Sequence, residues 1–119
     1  MDSFLDALAT NDTEKGFSSI EKAVNQNIDM TLYTKMILHK LRYALMLRYA
    51  PLTKKTIEKS LNERDLAYLI KLIEGKPEHI SSNTLSILLS AYQESRNAVI
   101  SQLPLELALV KILDKKNLN

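Results

Sequence analysis

The sequence predicts an all-α domain, and three features carry that expectation. Only two glycines and three prolines occur in 119 residues, far too few for a sheet that turns every few residues. Leu, Ile, Ala, Lys and Glu dominate, a mixture that favours helices. Apolar residues recur at three- and four-residue spacing between polar breaks. With 45% hydrophobic and 25% charged residues, the chain can bury one modest core. A compact bundle of about five to six helices is expected, with 1 to 119 forming a single domain.

The first segment is short, about 2 to 9, with Phe4, Leu5 and Leu8 on one side. "NDTEKGF" restarts the chain: Asn11 or Asp12 can cap the next helix, whose first turn holds acid where the dipole favours it. That helix runs to about Asn25 and is expected to bury Phe17, Ile20, Ala23 and Val24, with Gly16 unfavourable inside it. "NQNID" is a polar break, and Asp29 caps the longest helix, about 30 to 49. Pro51 ends it, because the residue before proline avoids helical geometry. A weaker helix is expected near 53 to 60, then a firmer one at 62 to 74, capped by Asn62 and stopped by Gly75 and Pro77. Ser82 or Asn83 caps a helix at about 83 to 98 that carries Leu85, Leu88, Leu89, Tyr92 and Val99 at helical spacing. The last helix opens at Pro104, whose missing N–H is harmless in a first turn.

Two of these helices have more apolar surface than one face requires. In the longest, Met30, Tyr33, Ile37, Leu41, Ala44 and Leu45 form one stripe. Leu32, Met36, Tyr43 and Leu47 form a second, roughly opposite, with Lys35, His39 and Arg42 between. In "QLPLELALVKIL", residues 105 to 113 are interrupted only by Glu106 and Lys111. Leu105, Ala108, Leu109 and Ile112 are assigned to the domain's own core, leaving Leu103, Leu107 and Val110 off that stripe. Leu32, Met36, Tyr43, Leu47, Leu103, Leu107 and Val110 are therefore the candidate subunit interface. The plainer alternative makes the last helix a central core helix.

Cysteine is absent, which excludes disulfides and thiolate metal sites and suits a reducing cytoplasm. The acidic N-terminus reads as neither a signal nor a transit peptide, and the apolar runs are too short to span a membrane. Net charge is +2, but it is unevenly placed. Residues 1 to 29 carry six acids against Lys15 and Lys22, whereas residues 30 to 57 carry six basic residues and no acid. Complementary faces, within one bundle or between copies, explain this; a polyanion site is the sharper reading. No catalytic residue, cofactor site or metal site is read. Gly16 and Gly75 lie in no phosphate-binding loop, His39 and His79 read as structural or solvated, and no serine has a base and an orienting group. Tyr33, Tyr43, Tyr49 and Tyr92 read as half-buried core. Interleaved with the Lys35 to Lys59 basic tract, they would instead make a base-stacking surface for nucleic acid.

The stretch "SFLDALATNDTEKGFSSIEKAVNQNIDMTLYTKMILHKLRYALMLRYA" resembles the start of the third domain of the gamma/tau subunit of bacterial DNA polymerase III. The polar turn "NQNID" stands where that family has a "G-x-D"-like turn, and Leu41-Arg42 leads into an apolar "ALML". The closing "LPLELALVKIL" is similar to the family's proline-led last helix, so the resemblance spans roughly 4 to 113. It implies a non-catalytic, cytoplasmic collar domain of the clamp loader, joining other gamma/tau copies and the delta and delta-prime subunits. It implies no small-molecule ligand, no membrane and no direct nucleic-acid contact. The Walker motif, the Ser-Arg-Cys finger and the cysteine zinc module of a complete AAA+ subunit are not in this sequence. The resemblance thus implies one domain of a longer subunit whose ATPase activity lies elsewhere. A stand-alone adaptor or small helical nucleic-acid-binding module is the alternative.

Overall fold

The computed structural model describes residues 2 to 114. Among these residues there is no strand; seven α-helices and a 3-10 turn account for the fold. They are α1 (Asp2–Thr10), α2 (Thr13–Asn25), α3 (Met30–Tyr49), the 3-10 turn (Pro51–Thr53), α4 (Lys54–Ile57), α5 (Glu63–Ile73), α6 (Ser82–Ser95) and α7 (Leu103–Leu113). The all-α expectation holds. The number exceeds five to six because the weaker segment near 53 to 60 forms a helix of its own, α4, a single turn.

Helix boundaries follow local chemistry. Asp12 serves two helices at once. Its N–H closes α1 on the Ala7 carbonyl at 2.9 Å, and its side chain opens α2 by accepting from the Lys15 N–H at 3.0 Å. Asn11 before it takes φ 57°, the left-handed turn that ends many helices. Asn27 ends α2 in the same way at φ 61°, with Ile28 and Asn27 donating to Ala23 and Val24. Asp29 caps α3 through the N–H groups of Thr31 and Leu32, and Asn62 caps α5 through Asp65. The cap of α6 is Ser81, one residue earlier than expected, accepting from the Thr84 N–H at 3.2 Å.

α3 lies at the centre. Its 20 residues span about 30 Å, and α1, α2, α5 and α6 all pack on it. α7 is not central: it packs on α6 and reaches across to α2 and α1. Phe4, Leu8, Ile20, Ile37, Leu41, Leu69, Leu88, Leu105 and Leu109 are fully buried between these elements. The residues linking α5 to α6 are fastened by Arg48, whose guanidinium donates to the carbonyls of Pro77 and Ile80 at 2.8 and 2.7 Å.

Several expected positions move. The segment expected near 53 to 60 shrinks to one turn of α4, because only Ile57 there is buried and Leu52 points into solvent. α6 stops at Ser95, bonded to the Tyr92 carbonyl and to Thr31 Oγ1. Val99 therefore leaves the helix and is fully exposed, and the buried side of α6 runs through Thr84, Leu88 and Ala91. Phe17, Val24 and Leu45 are half-buried rather than core, while Thr34 enters the core, its hydroxyl bonded to the Met30 carbonyl.

Gly16 explains itself in this packing. A Cβ built there would lie 2.6 Å from Leu109 Cδ2 and 2.7 Å from Cδ1, so a bare backbone lets α2 approach α7. Gly16→Ala gains about 1 kcal/mol of helix preference, but Leu109 is fully buried and overpacking costs about 1–3 kcal/mol. We expect a net loss of up to about 2 kcal/mol, read as a lower urea midpoint. A higher midpoint would mean that Leu109 swings aside.

Candidate functional site

The surface offers apolar faces before it offers chemistry. On α7, Pro104, Leu105, Ala108, Leu109 and Ile112 face inward and are buried. Leu103, Leu107 and Val110 face the other way, at 40%, 48% and 38% exposure. Because α7 lies on the outside of the bundle, both apolar sides are present and only one is covered. Val99 and Ile100, in the link before α7, are exposed as well. With Leu103 and Leu107 they line one cleft of about 320 Å³. Clustered exposed apolar side chains of this kind are candidates for an interaction surface.

The second expected face is on α3. Leu32 and Met36 are exposed there, at 52% and 41%. Tyr43 is half-buried and packed against the core, under the Arg42 guanidinium 5.7 Å from its ring. Leu47, assigned to the outward stripe, is instead a core residue at 6% exposure. The 3-10 turn and α4 fold back against α3, and Thr53 Oγ1 bonds the Ala50 carbonyl while reaching that of Met46 at 3.3 Å. This widens the covered arc at that end of the helix. The structure thus leaves five of the seven interface candidates exposed and divides them between two faces, because α6 lies between α3 and α7.

Between α3 and α6 runs an apolar groove of about 310 Å³, floored by Leu38, Leu85, Leu89 and Tyr92 and edged by Lys35, His39 and Arg42. It brings together much of what the sequence placed between the two stripes of α3. Other parts of the basic tract are engaged elsewhere. Lys40 pairs with Asp2 at 2.9 Å and lies 3.8 Å from Asp65, and Arg48 is spent on backbone carbonyls. Tyr33 is buried with its hydroxyl 2.7 Å from Ser19, so it presents no face to a base. His79 is buried beside Glu78, 3.2 Å from Nε2 to Oε1. Among the described residues no group of three His, Asp or Glu side chains is placed to hold a metal ion, and no helix is long and apolar enough to cross a membrane.

A polar cluster that no local pattern announced ties α1 to α5. The Tyr68 hydroxyl donates to Asp6 Oδ1 at 2.5 Å and reaches the Asp2 carbonyl at 2.9 Å, while Lys15 lies 3.8 Å from Asp6. Burial, and then the neighbouring Asp6 carboxylate, push the Tyr68 phenol well above its ordinary range. A phenol held so firmly in its neutral form does not exchange protons near neutrality; it fastens two helices. The raised value makes the folded state hold this proton where the unfolded chain has lost it. Stability is therefore fully present below about pH 10 and falls as pH rises further. Tyr68→Phe should lose about 1 kcal/mol at neutral pH and show a shallower alkaline decline than the wild type. Parallel declines in a pH series of urea melts would remove Tyr68 from this account.

Comparison with protein-family models, with curated proteins and with solved structures finds no match.

Proposed function

We propose that this chain is a non-catalytic assembly module: a collar-type domain of a bacterial clamp-loader gamma/tau subunit, acting in the cytoplasm in DNA replication. In this reading it joins other gamma/tau copies and the delta and delta-prime subunits, and the ATPase modules it holds together supply the chemistry. The resemblance of "LPLELALVKIL" and of the first half of the chain suggests the family. The observation that carries the assembly role is physical. α7 is a surface helix with a second apolar side, continued by Val99 and Ile100 into one exposed patch.

Burying a leucine is worth roughly 1.5–3 kcal/mol relative to leaving it exposed. Leu103 and Leu107, each close to half exposed, have much of that still to gain from a partner. The inward leucines of the same helix have already gained it. This separates association from folding within one helix.

Leu107→Glu should lower the apparent mass in sedimentation at high concentration while leaving helicity intact. Its melting free energy should change by only about 0.5 kcal/mol, since a glutamate there sits four residues before Lys111 at a favourable spacing. Leu109→Glu strands a charge in the core, an expense of several kcal/mol, and should unfold much of the population. If Leu107→Glu melts the domain as badly as Leu109→Glu, or leaves the mass of an associating wild type unchanged, the assembly role is lost.

A further inference from the structure

The groove between α3 and α6 is built from two unlike walls. On α6, Leu85, Leu89 and Tyr92 recur at helical spacing and make an aliphatic stripe with one aromatic end, and Leu38 of α3 completes the floor. On α3, Lys35, His39 and Arg42 recur at the same spacing along the rim. No acidic side chain lines the groove, and among the described residues Lys35 and Arg42 take part in no salt bridge. Ser95, at the end of α6, donates to Thr31, near the start of α3, at 3.1 Å. The two helices therefore run antiparallel, with Tyr92 towards Lys35 and Leu85 towards Arg42. Leu89, in the middle, is 48% exposed, so the floor still has apolar surface to bury.

We propose that this groove binds an aliphatic carboxylate, a medium-chain fatty acid, with its tail on Leu38, Leu85, Leu89 and Tyr92 and its head on Arg42. The site lies away from the α7 patch and does not depend on the assembly role. Three properties select this class of ligand. The floor is mostly leucine, and Tyr92 already carries the Arg96 guanidinium 5.6 Å from its ring centroid. A nucleic-acid base, which needs open aromatic faces, gains little there. The size is that of a small molecule: about 310 Å³ falls at the lower end of ligand pockets, roughly 300–1,000 Å³. Seven residues line it, whereas a stable protein contact takes about 20–30 residues a side. The third property is charge. With cations on the rim and no acid, the groove favours a carboxylate over a neutral or cationic head. Arg42 offers the planar fork from which a carboxylate accepts two parallel bonds, with His39 one turn back. From Lys35 to Arg42 the helix rises about 10 Å, which gives a medium-chain tail room to lie along it.

Decanoate is the probe, titrated below its micelle-forming concentration into the isotope-labelled full chain and followed by nuclear magnetic resonance. The amide signals of Leu38, Leu85, Leu89 and Tyr92 should shift and saturate, with a dissociation constant in about the millimolar range or tighter. Octanoate should bind about four-fold more weakly, since each lost methylene is half covered in an open groove. Decanol and decylamine carry the same tail and should bind at least about five-fold more weakly than decanoate. Arg42→Gln should cost decanoate about the same factor and narrow its advantage over decanol, and Leu89→Glu should abolish saturation. Both side chains are exposed, and circular dichroism checks that each variant is folded. Leu107→Glu, on the other patch, should leave decanoate binding unchanged. Decylamine binding as tightly as decanoate, or shifts centred on Leu103 and Leu107, reduces the effect to unselective apolar contact and overturns the proposal. So does a groove that decanoate leaves silent, whether or not an oligothymidylate or an acidic amphipathic peptide shifts the same amides.

Discussion

Burial of the inner side of α3 is the constraint on which this fold turns. α3 is the one helix that α1, α2, α5 and α6 all share, and its inward residues run almost without polar interruption from Met30 to Leu47. The exception, Thr34, satisfies its hydroxyl on its own helix. Because α3 takes the middle, α7 cannot. It closes the bundle from outside, against α6, α1 and α2, and keeps a full apolar side towards solvent. The exposed patch is thus a consequence of which helix is longest and best surrounded.

Apart from Thr34 and the buried Ser19–Tyr33 bond, polar chemistry is arranged around that core. Lys40 draws Asp2 and Asp65 towards α3, Tyr68 holds α1 to α5, and Arg48 pins the residues after α5. Every buried side-chain nitrogen or oxygen among the described residues has a partner, so none of these contacts leaves a desolvated group uncompensated. Lys40 also uses one acid from the N-terminal stretch, which meets part of the charge asymmetry inside the bundle. Lys35 and Arg42 on α3, and Glu21 on α2, remain outside it.

What was legible in the sequence was local. Asp12, Asp29 and Asn62 were readable as caps because a cap bonds an N–H two or three residues away. The two-sided character of the last helix was readable because Leu103 to Leu113 forms a regular helix and its apolar residues obey one period. Ser81 was missed in favour of its neighbours because three consecutive polar residues in "SSN" can each cap, and the choice depends on how Ile80 is buried. Leu47 was misplaced because its side of α3 is covered by a turn that the chain makes only after Pro51. The bond from Tyr68 to Asp6 joins positions 62 residues apart, which no periodicity encodes. The same limit hid the division of the candidate interface: spacing assigned Leu32 and Leu107 to outward sides of their helices, but only packing shows that α6 stands between them.

The close approach of α2 to α7 has a consequence for descent as well as for stability. Leu109 fills the volume that a side chain at position 16 would occupy, so the two positions share one space although they lie 93 positions apart in the chain. Position 109 can become smaller while position 16 stays glycine, but alanine or serine at position 16 is accommodated most easily once position 109 has become smaller, and a return to leucine then meets the new side chain. Paired replacement at 16 and 109 is therefore the mark by which other sequences sharing this α2–α7 contact can be recognised.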